Sequence, residues 1–160
     1  MQRTMSPIQN ERHGDGFTLV ELLTAIVVLG ALIAIAVPWF ASYIDKQNVG
    51  RAVIDMRVLD NRIQNYKMSN DVYPPSVNDV PQGNLFDPWG RPYQYLQIEG
   101  NAKAKGNERK DKNLVPINSD FDLYSMGADG KTTAPLTAKN SLDDIVRANN
   151  GSYYGLASNY

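Results

Sequence analysis

Glu21 is the only charged side chain in the run FTLVELLTAIVVLGALIAIAVPWF, from Phe17 to Phe40. An ionised carboxylate in hydrocarbon is costly, so it needs a partner, a proton or access to water. The run supplies no base. Either Glu21 is protonated or close enough to the surface to be wetted, or its partner comes from another chain. A free amine on Phe17, made by cleavage after Gly16, would serve, with Glu21 of one subunit meeting the Phe17 amine of its neighbour. Such a pair sets axial register more reliably than it adds net stability.

The other candidates for chemistry do not assemble into a catalytic set. The single histidine, His13, precedes the apolar run, and there is no cysteine, which excludes disulfides and thiolate metal sites. Asp120 and Asp122 are two carboxylates two residues apart, as a glycosidase needs, but nothing near them builds a sugar cleft. A solvated strand face is the reading adopted for them. Gly127, Gly130 and Asn149-Asn150-Gly151 lack the strand–loop–helix setting and the Lys-Ser/Thr ending of a phosphate loop. Asn107 to Lys112 mixes both signs of charge and reads as an exposed loop. A net charge of -1 over 160 residues leaves no basic footprint for nucleic acid.

The elements that hold these residues follow from periodicity. Phe17 to Phe40 as a helix spans roughly 36 Å, enough for a hydrocarbon core of about 30 Å. Pro38 should bend this helix or loosen its hydrogen bonds. Val49, Val53, Met56, Ile63 and Tyr66 then recur at helical spacing, with Leu59 beside them, so one helix is expected over 17–69. Asn70-Asp71 and Pro74-Pro75 stop it. YQYLQI (93–98) and FDLYSM (121–126) read as strands, Asp87-Pro88-Trp89-Gly90 as a turn, and 100–112 as an exposed loop. Ser141 and Asp144 have capping-box spacing and predict a short helical turn, followed by a Tyr/Asn/Gly-rich tail. Tyr153 and Tyr154 are expected to pack in the core. The predicted architecture is α+β. A long N-terminal helix carries a transmembrane segment at about 17–40, and a small head (70–160) with an antiparallel sheet packs on residues 49–66, in the shape of a lollipop.

Gly16-Phe17-Thr18-Leu19-Val20-Glu21-Leu22-Leu23 resembles the processing and assembly signature of type IV pilins and type II secretion pseudopilins. Asp87-Pro88-Trp89-Gly90-Arg91-Pro92-Tyr93-Gln94-Tyr95 and Asp122-Leu123-Tyr124-Ser125-Met126-Gly127-Ala128-Asp129-Gly130 resemble the major pseudopilins, the protein G family. The resemblance covers about residues 14–130. It implies that residues 1–16 are a leader cut by a prepilin peptidase between Gly16 and Phe17, with methylation of the new Phe17 amine. It implies that Glu21 serves assembly and that the helix softens at Pro38. It implies a helical homopolymer, a periplasmic pseudopilus, working with minor pseudopilins, an inner-membrane platform, an assembly ATPase and an outer-membrane secretin. The subunit would sit in the inner membrane with a cytoplasmic N-terminus and a periplasmic head.

Major pseudopilins usually continue with a glycine- and acid-rich loop that holds calcium. This chain departs from that pattern at Lys131-Thr132-Thr133-Ala134-Pro135-Leu136-Thr137. Asp129, Asp143 and Asp144, with carbonyls near Leu123 and Ser125, are the candidate calcium ligands, and an ion of that kind wants six to eight oxygens. The alternative is that Asp129 fills a turn while Asp143 and Asp144 start a helix. Two rival functions stand beside the pseudopilin: a type IV pilus subunit for adhesion, motility or DNA uptake, and a membrane-anchored binding module that never polymerises. No enzymatic reading has a nucleophile–base pair.

Overall fold

The computed structural model describes residues 16–160. The leader expected over 1–16 therefore lies outside the described residues, apart from Gly16. The chain divides into two units, parted between Ala41 and Ser42.

One helix, α1 (Leu19–Asn70), contributes to both units and continues through Pro38. Its 52 residues correspond to roughly 80 Å of helix. Every residue from 16 to 47 is exposed, including Leu19, Ile26, Leu32 and Phe40. Within the second unit Ala52, Met56, Leu59 and Ile63 are fully buried, spaced four, three and four apart. Val49, Val53 and Tyr66 are only partly buried along the flanks of that stripe. Ala52 replaces the expected Val53 at the centre because 3.6 residues per turn places 52, 56, 59 and 63 on one line.

The sheet is a four-stranded antiparallel meander in the order β1 (Gln94–Gln97), β2 (Phe121–Ser125), β3 (Ile145–Ala148), β4 (Tyr153–Leu156). Gln94 pairs with Tyr124, Tyr124 with Val146, and Val146 with Gly155. Side chains alternate between faces along each strand. Phe121, Leu123 and Ile145 therefore join the α1 stripe, with Tyr73, Val77, Val80 and Tyr93, in the main core. Val146 and Ala148 face the other way and bury with Ile117, Leu136 and Ala157, flanked by Tyr124, Tyr153 and Tyr160. Both faces of β3 are covered, which is why all four of its residues are buried.

Three sequence expectations are corrected here. The helical turn at 141–144 is a 3-10 turn at Lys139–Ser141 leading directly into β3. Ser141 is fully buried and does not cap a helix; its hydroxyl donates to the Thr133 carbonyl and accepts from the Thr133 N–H. The tail is the β3–β4 hairpin, turned at Asn149, Asn150 and Gly151, all with positive φ, which asparagine and glycine tolerate best. Asp120, Asp122 and Arg109 are buried, not solvated. Each lies against a partner that a reading of local sequence does not reach.

Candidate functional site

The helix begins at a capping box. Thr18 precedes the first residue of α1, and the Glu21 N–H donates to its Oγ1 at 3.2 Å. In return Glu21 Oε2 accepts from the Thr18 N–H at 2.9 Å and from the Thr18 hydroxyl at 2.7 Å. This reciprocal pattern satisfies first-turn donors and puts negative charge at the positive end of the helix. Glu21 therefore has an intramolecular partner, an arrangement between the two alternatives weighed from the sequence. The Thr-x-x-Glu spacing was visible there. Phe17 is 82 % exposed, so among the described residues the bond from Gly16 to Phe17 is open to approach.

In the second unit the two head motifs form one interlocked corner. Asp87 Oδ1 accepts from the N–H groups of Trp89 (3.1 Å) and Arg91 (2.8 Å), closing the turn. Asp87 Oδ2 accepts from the Ser125 hydroxyl at 2.6 Å, and Ser125 Oγ in turn accepts from the Gly127 N–H. Arg91 reaches across to donate to the carbonyls of Gly127 and Ala128. Gly130 has φ 68°, and a Cβ there would lie 2.5 Å from Arg91 Nε. Glycine is favoured for its backbone conformation, and a Cβ there would displace the guanidinium that holds the Gly127 and Ala128 carbonyls. A hollow of about 320 Å³ beside this corner is lined by the apolar Val49, Trp89, Ala128 and Leu156 together with Asp45, Lys46 and Asp143.

The candidate calcium ligands are placed apart in role. Asp129 Oδ1 accepts from the Lys131 N–H, and Asp143 Oδ2 accepts from the Asp129 N–H at 2.9 Å. Asp144 is fully buried and its Oδ2 is held by Arg109 Nη2 at 2.5 Å and by the Thr132 hydroxyl at 2.6 Å. Burial pushes the Asp144 carboxyl up, against the lowering effect of Thr132 and Arg109. No group of three acidic or histidine side chains placed to hold a metal ion occurs among the described residues.

Two arginines are the functional side chains that local sequence reasoning missed. Arg147, on β3, pairs with Asp120 (Nη2–Oδ2 2.6 Å, Nη1–Oδ1 2.8 Å) and lies 4.0 Å over the Phe121 ring. Its Nε lies 3.0 Å from Asp60 Oδ1 on α1, an ion pair by distance whose angle misses a hydrogen bond. Asp60 Oδ2 also accepts from the Tyr154 hydroxyl at 2.6 Å, and the Tyr154 phenol is pushed up to about 12 by burial and by that bond.

Comparison with known proteins bears on the same segments. Residues 12–37 match the family model described as the prokaryotic N-terminal methylation motif. The chain is 35 % identical to the type II secretion system core protein G of Pseudomonas aeruginosa, over 75 % of this chain and 87 % of that one. It is 30 % identical to the protein of the same name from Vibrio cholerae, over 75 % and 84 %. The corresponding protein of Aeromonas hydrophila is likewise 30 % identical, over 76 % and 87 %.

Proposed function

The chain belongs to the type II secretion system core protein G family and is a structural, non-catalytic subunit of that kind, and we propose that it polymerises through its apolar N-terminal helix into a periplasmic pseudopilus. The observation that carries this reading is the first half of α1, where every residue from 19 to 47 is exposed. From Leu22 to Phe40 that surface carries no charge and has no water-compatible face. It suits hydrocarbon before assembly and the helices of neighbouring copies afterwards.

A prepilin peptidase cuts between Gly16 and Phe17 and the new Phe17 amine is methylated. The bilayer holds 17–40 with the N-terminus cytoplasmic and the head periplasmic. On assembly Glu21 takes the Phe17 amine of a neighbouring copy as partner, added to or exchanged for the Thr18 hydroxyl it holds in the single chain. Pro38 supplies the place where the helix softens in the filament. The growing polymer works with minor pseudopilins, an inner-membrane platform, an assembly ATPase and an outer-membrane secretin.

The test is the intact mass and N-terminal peptide of the protein recovered from its native membrane. A chain beginning at Phe17 and one methyl group heavier is expected. A chain left uncut in a host with active prepilin peptidase would remove the filament reading. Glu21→Leu, which a plain membrane anchor would tolerate, is expected to abolish or misregister polymer while leaving membrane insertion intact.

A further inference from the structure

We propose that Arg109 does in this chain what a bound divalent cation would do in a loop-rich head, so that the loops over the second face of the sheet are locked by a guanidinium and are independent of calcium. The segments 98–120 and 126–144 carry only short 3-10 turns, Ala102–Ala104 and Lys139–Ser141. Loops of that length need an internal tie to stay ordered.

Arg109 supplies it. Its Nη1 donates to the Thr132 hydroxyl and, at 2.7 Å, to the Thr133 carbonyl, while Nη2 binds Asp144. Its own N–H donates to Asp122 Oδ2 at 2.6 Å, and its guanidinium lies 4.4 Å over the Tyr124 ring. One residue thus joins the loop that bears it, the 132–133 loop, the start of β3 and the second face of β2. The neighbouring backbone follows the same course, with Lys110 N–H donating to the Ala134 carbonyl and Leu136 N–H to the Lys110 carbonyl.

A planar fork with several donors can hold one carboxylate, one hydroxyl and one carbonyl at once, which are the kinds of oxygen that calcium collects. The residues present do not fit the ion itself. Asp144 Oδ2 is already filled by Arg109 and Thr132, which leaves its buried Oδ1 as a single open acceptor, Asp143 and Asp129 each give one oxygen to a backbone N–H, and no three acidic side chains among the described residues gather around one point. A divalent ion brought to Asp144 would also meet the positive charge of Arg109, which is itself only 3 % exposed and cannot swing into water without opening the loops.

The test uses the full chain in detergent micelles. Thermal unfolding is compared in chelator and in millimolar calcium, and terbium is titrated while its emission is excited through tyrosine. Equal melting temperatures and no saturable terbium signal are expected. A melting temperature raised by calcium, or saturable terbium emission abolished by Asp144→Asn, would overturn the proposal without any variant of Arg109 having to fold. Arg109→Met is expected to lower the melting temperature on the order of 10 °C. Arg109→Lys should recover little of that loss, because an ammonium cannot span the three acceptors. An Arg109→Met chain as stable as the parent would also refute it.

Discussion

Arg147 and Arg109 are both buried, one on each face of the same sheet, and they solve different problems. Arg147 stands among regular elements. It is flanked by Asp120, Asp60 of α1 and the Phe121 ring, so it fixes where the helix sits on the strands. Arg109 stands among irregular ones. Its partners include a hydroxyl and a main-chain carbonyl, so it replaces hydrogen bonds that a strand or helix would have made for itself. Both bind a carboxylate and a main-chain carbonyl, so the contrast teaches that a buried cation can specify docking or can stand in for missing secondary structure according to whether its acceptors lie on regular elements or on loops.

The comparison is broken most severely by Arg147→Met, which strands two carboxylates at once. A loss of about 4 kcal/mol is expected in denaturant unfolding. Asp120→Asn added to it should cost much less than it does alone, because the two side chains share one network. Survival of the head at parental stability would show that α1 docks by apolar packing alone.

A middle-sized effect sharpens the second face. Burial pushes the Asp122 carboxyl up to about 6 from 3.8, against the lowering effect of the Arg109 N–H and the Asn118 amide. Its folded value lies above its unfolded one, so the folded state takes up the proton first. Its contribution to stability is therefore greatest at low pH and is lost as pH rises through about 6. Relative to Asp122→Asn, the parent should lose on the order of 2 kcal/mol between about pH 4 and about pH 7. Parallel pH profiles for the two proteins would contradict this.

The smallest effect belongs to an exposed ion pair outside both networks. Lys67 and Glu99 meet at 2.8 Å, but both side chains are substantially exposed. Water and salt screen such a pair. Lys67→Gln is expected to leave the denaturation midpoint where it is, and a clear shift would mean that exposed charge contributes to holding the end of α1.

These networks explain which parts of the molecule were legible in the sequence. The apolar run, the Glu21 signature and the α1 stripe are local patterns that a period or a motif reports, although the period set Val53 where Ala52 lies buried. β1 and β2 alternate well enough to be read. β3 was hidden because Arg147 interrupts its apolar run, although Asn149-Asn150-Gly151 marks the turn of a hairpin. Asp120, Asp122 and Arg109 were assigned to solvent because charge seeks water unless a partner is supplied, and here the partners stand far off in the chain. Arg109 and Asp144 are 35 positions apart, and Arg147 and Asp120 are 27. The head motifs were legible as strings, but the reason for them lies in the Asp87–Ser125 and Arg91–Gly127 contacts that join the two.

The bond from Tyr154 to Asp60 spans 94 positions, and it carries a consequence for the order of events at the ribosome. Translation proceeds at about 5–20 residues per second, so the stripe of α1 emerges roughly 5–20 s before the strand that completes its cover. During that interval Met56, Leu59 and Ile63 have only the nearer part of their cover, Tyr73, Val77, Val80 and Tyr93, and wait for Phe121, Leu123 and Ile145 to complete it. The head is therefore finished late, when its last strands arrive.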